Sequence, residues 1–472
     1  MQNQKFTTDV VIGLEIHIEL DTNTKLFCGC RTKSETEEPN TLTCPTCLGM
    51  PGAKPVLNKK AVEYALLLAL ALKCKIAKEL IFSRKIYFYP DMSKNYQITQ
   101  YEIPLGENGE VLLSEQKKIR IARAHMEEDP AALVHPNGIA NSQYVLVDYN
   151  RSGRPLCEVV TEPDMSAPEE AREFLRKLIT LLRYLKIFDY KTGVIKADAN
   201  ISIKESNYTR VEIKNITGFK EIERALQYEI ERQRHAVLDN QKIVQETRAW
   251  DAKSGITTSL RTKETEADYG YIVDPDLARI ELTNEFVKLA KEKLPILPSE
   301  RTEQMIQKGV SKDDAIVIAN EYVLSKLFDT VSKTNEPVIA ARWIRRELIR
   351  VANYNKIEID DIAISIQSFS ELLTLLEKKQ ITDETAKRLL EELFKGNFSP
   401  KEKVTKENLG MISDTSAITN WCKEAIIENA KALEDYKKGE EKALNFLVGT
   451  VMKKSKGKAK PDEVKEILMK LG

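Results

Sequence analysis

Val10-Val11-Ile12-Gly13-Leu14-Glu15-Ile16-His17-Ile18-Glu19-Leu20 has an apolar side chain at every even position, while Glu15, His17 and Glu19 stand at odd ones. A period of two marks a strand buried on one face. Glu15 and His17 therefore leave the same face, separated along the strand by about 6.6 Å, close enough to share an ion. Lys196 to Ile203 repeats the pattern, with Asp198, Asn200 and Ser202 opposite Ala197, Ala199, Ile201 and Ile203. Tyr144 to Tyr149 and Val211 to Lys214 read as further strands. Between them, Ala61 to Leu72 is apolar nearly all round and reads as a buried helix. Ser166 to Ile187 opens with a Ser166-x-x-Glu169 capping box and Pro168 in its first turn, then sets Leu175, Leu178, Ile179 and Leu182 on one stripe. The first part of the chain is thus expected to mix strands and helices around polar sheet faces, an α+β arrangement.

Two proline-bearing breaks divide the rest of the chain. Lys293-Leu-Pro-Ile-Leu-Pro298 interrupts the pattern, after which Ala315 to Phe328, Ala340 to Ala352 and Phe369 to Leu393 read as helices, until Gly396-Asn-Phe-Ser-Pro400. The expected division is 1–294, 295–397 and 398–472, in keeping with roughly 100 to 200 residues per domain. Lys plus Arg and Asp plus Glu both number 72, so net charge is zero and any nucleic-acid contact must come from a local patch. Lys453, Lys454, Lys456, Lys458 and Lys460, around Gly457, form such a patch; the alternative is a solvated basic loop. The longest apolar run, Ala65 to Leu72, is far short of a bilayer span, and Met1 to Asp9 is too polar for a cleavable signal. A cytoplasmic protein without membrane contact is expected.

Four of the seven cysteines lie close together as Cys28-Gly-Cys30 and Cys44-Pro-Thr-Cys47. Two short knuckles flanking a loop place four thiolates around a tetrahedral zinc ion, and four closed ligands leave no position for substrate, so such a site is structural. The alternative is a set of ordinary thiols. Cys74, Cys157 and Cys422 are isolated and read as small buried residues.

No phosphate loop, dinucleotide fingerprint or nucleophile elbow is present, nor a serine-rich glycine tract with a lysine, so amide hydrolysis by this chain itself is not expected. What remains is acidic and cationic. His125-Met-Glu127-Glu128-Asp129-Pro130 concentrates carboxylates, Glu15, His17 and Asp198 add others, and oxygen-rich sites of this kind suit magnesium beside substrate phosphates. Solvent-exposed acidic turns are the alternative. Arg84, Lys85, Tyr87, Tyr89, Lys94, Arg151 and Arg154 surround them, and clustered cations are expected where phosphoryl charge is neutralised. Tyr87-Phe-Tyr89 reads more plainly as a strand with aromatic residues on both faces.

Val11-Ile-Gly-Leu-Glu15-Ile-His17, Cys44-Pro-Thr-Cys47-Leu-Gly-Met-Pro-Gly52, Arg84-Lys85-Ile-Tyr87-Phe-Tyr89-Pro-Asp91, His125-Met-Glu-Glu-Asp129, Asp148-Tyr-Asn-Arg151-Ser-Gly-Arg-Pro155 and Asp198-Ala-Asn200-Ile-Ser202 resemble the B subunits of tRNA-dependent amidotransferases (GatB). The resemblance continues through Val211-Glu-Ile-Lys-Asn215, Gln245-Glu-Thr-Arg248 and Val448 to Ala459, nearly the whole chain. It implies a cradle-shaped catalytic domain, a helical domain and a small YqeY-like helical tail that binds tRNA. It also implies ATP-dependent activation of the side-chain carboxylate of glutamate mischarged on tRNA(Gln), or aspartate mischarged on tRNA(Asn). An amidase A subunit would supply ammonia and a small C subunit would fasten the two. By the same resemblance Glu15, His17 and Glu128 match magnesium-binding positions. Lys85, Lys94 and Asp198 match polar positions lining the ammonia route, and Cys28, Cys30, Cys44 and Cys47 match zinc knuckles. Arg84, Tyr87, Tyr89, Arg151, Arg154 and Asn200 are the expected substrate or phosphate contacts.

This chain departs from the family pattern in two places. Tyr190-Lys191-Thr-Gly193 and Lys196 stand where a Met-Glu-x-Gly stretch and an arginine are usual, and Asp268-Tyr-Gly270-Tyr-Ile-Val-Asp-Pro-Asp276 lacks the family's arginine at Gly270. There is no room for the extra domain of the related archaeal E subunit. Two rival classes are a non-catalytic zinc-containing RNA-binding protein, which needs no acidic pocket, and a free-standing small-molecule kinase, which needs no basic tail.

Overall fold

The computed structural model describes residues 9–472 except 35, 115, 137–141, 191, 192, 194, 263–268, 412–414, 438, 439, 456, 457 and 472. The chain divides into two compact units, residues 1–297 and 298–472. In chain order the strands of the first unit begin with β1 (Val10–Glu19), β2 (Lys75–Ile76), β3 (Glu79–Leu80), β4 (Ser83–Ile86), β5 (Tyr96–Thr99), β6 (Gly106–Leu112), β7 (Lys118–Glu128) and β8 (Ala132–Val134). They continue with β9 (Leu146–Asp148), β10 (Pro155–Thr161), β11 (Ile195–Ile203), β12 (Val211–Thr217), β13 (Glu246–Asp251), β14 (Ile256–Thr262), β15 (Gly270–Val273) and β16 (Ile280–Glu281). Its helices are α1 (Lys59–Ala71), α2 (Pro168–Leu185), α3 (Phe219–Leu238) and α4 (Asn284–Glu292).

Among the described residues a 12-stranded sheet runs β14-β13-β12-β11-β1-β10-β7-β5-β4-β15, with β6 on β7 and β2 on β6. Only the β12–β13 pair is parallel in this sheet. The alternation in β1 sends Ile12, Leu14, Ile16 and Ile18 into one core, where none is more than 1% exposed. Helix α1 packs on β6 and β7, α3 on β11, β12 and β14, and α2 on α1 and α3, so the apolar face is the covered one. The odd-numbered residues of β1 then occupy the opposite face.

Local readings needed adjustment where a neighbouring residue set the register. Pro168 takes the first helical position of α2, as its fixed φ favours. The N-cap is therefore Ala167, and the Ser166 N–H bonds Glu170 Oε2 at 2.7 Å; the Ser166–Glu169 box does not form. Tyr87 to Tyr89 lie beyond the end of β4, not in a strand, because Pro90 has no N–H to continue a ladder. Strand β9 covers only Leu146–Asp148 of the expected Tyr144 to Tyr149.

Edge strand β15 is held to β4 by an ion pair as well as its ladder. Arg84 Nε donates to Asp274 Oδ2 at 2.8 Å and Arg84 Nη2 to Asp276 Oδ2 at 3.0 Å, while the guanidinium lies 4.5 Å from the centre of the Tyr96 ring. Asp274 is fully buried and also accepts from the Asp276 N–H at 2.8 Å. Removing one partner of a buried pair strands the other charge, so Asp274→Ala should cost about 3 kcal/mol. The expected readout is a lower thermal midpoint with faster amide exchange in residues 270–273; an unchanged midpoint would show the pair to be dispensable.

The second unit is helical: α5 (Pro298–Gln307), α6 (Lys312–Ala319), α7 (Tyr322–Val331), α8 (Pro337–Arg342), α9 (Ile349–Tyr354), α10 (Ile366–Glu377), α11 (Asp383–Leu393), α12 (Pro400–Lys406), α13 (Thr415–Glu428), α14 (Ala430–Lys437), α15 (Glu441–Lys454) and α16 (Pro461–Leu471). The expected helices at 315–328 and 369–393 are each two. Glu321 turns extended before α7, and Thr382 caps α11 by accepting from the Thr385 N–H, after Lys379 has turned left-handed at φ 53°. Helices α8 and α9 are joined through a π-helical segment, Trp343–Leu348. One apolar cluster spans Met305 to Leu409 and includes Val404 of α12; another spans Ile418 to Leu468. No helix among the described residues is long and apolar enough to cross a membrane.

Candidate functional site

Residues paired across neighbouring strands share a face, and the ladder gathers the polar face around β1. Glu15 pairs with Asp198, His17 with Lys196 and Glu158, Glu158 with His125, and Glu127 with Thr99. His17 Nε2 is 3.3 Å from Glu158 Oε2, 3.5 Å from Glu127 Oε1 and 3.9 Å from Glu15 Oε1. His125 Nε2 is 3.6 Å from Glu158 Oε2, and Arg123 Nη2 is 3.7 Å from Glu158 Oε1. Two donor sets result, Glu15/His17/Glu158 and His125/Glu127/Glu158, each with ligand atoms within 4.8 Å of one another, and Glu158 belongs to both.

Carboxylates packed this tightly repel. The charge of Glu158, with burial, pushes Glu15 up to about 7; burial and then Glu158 push Glu127 up to about 7. Burial opposes ionisation of Glu158, yet His125, the hydrogen-bonded His17 and Arg123 hold it well below the usual carboxylate range. Burial would lower His17, but its hydrogen bond to Glu158 and the surrounding carboxylates raise it to about 10; burial holds His125 down at about 4, a neutral imidazole at physiological pH. The cluster has more acceptor oxygens than cations to satisfy them, and His125 Nδ1 is buried with no hydrogen-bond partner. An oxygen-rich set with one or two imidazoles fits a divalent cation, which would replace protons as the neutralising charge.

The sequence expectation placed Glu128 with Glu15 and His17. The structure brings Glu15 and His17 together but puts Glu128 in neither set: its carboxylate pairs with Lys94 and accepts the Ile98 N–H at 2.8 Å. Strand parity is the reason, since Glu128 of β7 points to the face opposite His125 and Glu127. Glu127, Glu158 and His125 take the place expected for Glu128. The signal was present: Glu158 is a lone carboxylate in the apolar run Leu156-Cys157-Glu158-Val159-Val160.

Other expected residues are engaged in different ways. Asp198 Oδ2 accepts from Lys214 Nζ at 3.1 Å, with Glu212 3.6 Å from the same ammonium. Lys214 is a cation that sequence reasoning missed. Lys85 Nζ lies 4.8 Å from the Tyr269 ring centre, and Tyr87 meets the same ring edge-on at 5.5 Å. Tyr89 is exposed, Asn200 Oδ1 is buried without a partner, Arg151 pairs with Asp129, and Arg154 donates to Glu19 at 2.8 Å and Ser34 at 2.6 Å. Arg84, expected as a phosphate contact, is paired with Asp274 and Asp276. At Gly270 a Cβ would meet Ile86 at an ordinary 3.6 Å, so packing does not require glycine there. Lys191 lies outside the described residues.

The knuckle cysteines converge. The sulfurs of Cys28, Cys30, Cys44 and Cys47 lie within 4.8 Å of one another, and the Cys44 N–H donates to Cys47 Sγ at 3.1 Å. The Cys28 thiol, the Cys44 N–H and the Lys25 ammonium push Cys47 down to about 4. A four-sulfur set with a thiolate already favoured fits zinc. Because thiolate–metal bonds contribute to local folding, chelation should expose residues 28–53 to protease while the helices beyond residue 298 stay intact. Uniform cleavage of both regions would refute a local role. In the tail, Lys453 is exposed, and Lys458 and Lys460 are partly so. Lys454 is paired with Glu424 at 2.9 Å and Glu428 at 2.6 Å, and Lys456 lies outside the described residues.

Residues 10–288 match the family described as the GatB/GatE catalytic domain, and residues 326–471 match the GatB domain. Named relatives are similar over almost the full length. The aspartyl/glutamyl-tRNA(Asn/Gln) amidotransferase B subunit of Thermodesulfovibrio yellowstonii is 42% identical over 98% of this chain and 99% of its own. Those of Carboxydothermus hydrogenoformans and Thermotoga maritima are each 42% identical over 98% of both chains.

Proposed function

The chain belongs to the GatB/GatE family of tRNA-dependent amidotransferase B subunits, and on that premise we propose that the polar face around Glu158 is where the side-chain carboxylate of a mischarged tRNA is activated with ATP. The sharing of Glu158 between two donor sets is the observation that carries this reading. A carboxylate at neutral pH does not accept ammonia, so its oxygen must first become a phosphate leaving group. Attack on the γ-phosphoryl group gives an acyl phosphate and ADP; ammonia then displaces phosphate to give the amide, and the proton that nitrogen loses ends on the departing phosphate. Magnesium bound at this face would neutralise phosphoryl charge. Lys85, next to the acidic face, adds a fixed positive charge. The Lys214–Asp198 pair, on this same face, holds ammonia and takes its proton, while the Lys94–Glu128 pair lies on the route by which ammonia arrives.

An amidase A subunit supplies the ammonia and a small C subunit fastens the assembly; the four-cysteine site holds structural zinc. The reaction class is that of a glutamine-hydrolysing, ATP-dependent carbon–nitrogen ligase in the cytoplasm. Neither rival class raised by the sequence, the RNA-binding protein without catalysis or the small-molecule kinase, finds support in the relatives' names. The test is amide formation by the reconstituted complex with purified Glu-tRNA(Gln) and Asp-tRNA(Asn), separately; no amide from either tRNA would end this assignment.

The tail lysines contact tRNA backbone without reading bases, because an ammonium is a point charge. A chain ending at residue 411, which keeps α12 in its apolar cluster, should bind tRNA more weakly and with a shallower salt dependence, yet use a short acceptor-stem mimic almost unchanged. Equal loss on both substrates would mean that the tail supports the fold instead.

A further inference from the structure

The four-cysteine knuckle touches the Lys94–Glu128 pair from both ends. On the Lys94 side, Ser93 Oγ donates to the Cys47 carbonyl at 2.7 Å. Gly49 closes the turn that begins at Cys44, with its N–H on Thr46 O at 3.2 Å, and stands at φ 66°. A Cβ there would overlap Lys94 Cγ and lie 3.0 Å from its Cβ and 3.1 Å from its Cα. Those atoms are the root of the side chain, which cannot swing aside as a flexible tip would. Gly49 is therefore needed twice, for its left-handed backbone and for the close approach of the Lys94 stem.

On the Glu128 side the tie runs through Lys25, whose side chain is among the largest that are fully buried. Its ammonium donates to Leu42 O at 2.9 Å and Tyr149 O at 3.1 Å and lies 3.7 Å from Cys47 Sγ. The next residue, Leu26, donates to Gly153 O, and Gly153 donates to Asp129 O, each at 2.8 Å. Asp129 follows Glu128 directly. The ion pair is itself enclosed, the Lys94 side chain 8% and the Glu128 side chain 6% exposed, with Ile98 N–H and Lys94 on one carboxylate oxygen.

We propose that Gly49 and Ser93 are positioning residues through which the knuckle fixes the Lys94 ammonium against Glu128, so that the cysteine site sets reaction geometry and does not merely fold its own loop. The importance of that pair to turnover rests on the function proposed above; its placement by the knuckle does not, and the two are separable by experiment. The full three-subunit complex carrying Gly49→Ala, Ser93→Ala or Lys94→Ala, and the Gly49→Ala/Lys94→Ala double variant, would be treated briefly with acetic anhydride. Acetylation at each lysine is then read by peptide mass spectrometry, alongside bound zinc and tRNA-dependent amidation.

In the unaltered chain Lys94 and Lys25 should both be protected. In Gly49→Ala, Lys94 should label like an exposed lysine while Lys25 stays protected and zinc content is unchanged. Ser93→Ala adds no atom and no backbone strain, and should raise Lys94 labelling in the same direction by a smaller factor. Amidation by the double variant should lie close to that of Lys94→Ala and well above the product of the two single losses, because what Gly49→Ala costs through the Lys94 ammonium cannot be lost twice, and only the strain of φ 66° and the contact with the remaining Cβ is added. Lys94 remaining as protected in both Gly49→Ala and Ser93→Ala as in the unaltered chain would overturn the proposal, as would multiplicative losses in the double variant. If Gly49→Ala also loses zinc and Lys25 protection, the Ser93→Ala result decides alone. Should Lys94 become labelled as expected while Lys94→Ala amidates normally, positioning stands and the reading of the pair as part of the reaction fails.

Discussion

Replacing Glu158 with alanine should lower carboxylate activation by at least about 10²–10³-fold, while glutamine hydrolysis by the partner amidase remains measurable. Glu158 is buried, pairs with His17, His125 and Arg123, and is the one residue common to both donor sets. Its loss removes an oxygen from either cation position and leaves two cations, His17 and Arg123, facing Glu15 and Glu127 alone. Magnesium titration separates this from a general disturbance. Glu158→Gln should move the magnesium requirement upward, because a neutral amide is a poorer ligand, whereas Glu128→Gln should lower the rate with little change in that requirement, because Glu128 sits with Lys94 on the other face. Activity at ordinary magnesium in Glu158→Ala would show the metal reading of this face to be mistaken.

The parts of this site legible in the sequence are those whose signal is local. Strand β1 announces itself because one face is buried and the other is not, so polarity alternates residue by residue. The knuckles are legible for the same reason, since four ligands fall within a short span and the chemistry of tetrahedral thiolates needs little else. Glu158 was hidden because β10 is central: with burial on both faces its neighbours are apolar on both sides, and the period that would assign a face disappears. Its partners arrive from afar, with Leu14 N–H bonded to Thr161 Oγ1 across 147 residues, and nothing local encodes that pairing. Lys25 shows the opposite failure. A lone lysine beside a loop reads as solvated, yet it is buried because two carbonyls and a sulfur, from the Leu42–Cys47 loop and from Tyr149, converge on its ammonium.

Asp198→Asn should abolish amide formation even when ammonia is supplied directly. The assay uses a complex whose amidase nucleophile has been mutated, so that glutamine yields nothing and added ammonium restores turnover through this chain alone. Asp198 stands across the ladder from Glu15, is 9% exposed, and holds Lys214 at 3.1 Å. An amide side chain keeps the shape but can neither accept a proton from attacking ammonia nor balance Lys214, whose ammonium is held charged, against burial, by Asp198, Glu212 and Glu15. Loss of a general base typically costs about 10²–10⁴-fold, and saturating ammonium does not replace it, because concentration supplies the nucleophile but not a positioned acceptor for its proton. If high ammonium did rescue Asp198→Asn, the carboxylate would belong to delivery of ammonia. The proton would then have to leave by another route, for which Glu15, raised to about 7 and paired across the ladder with Asp198, is the group at hand.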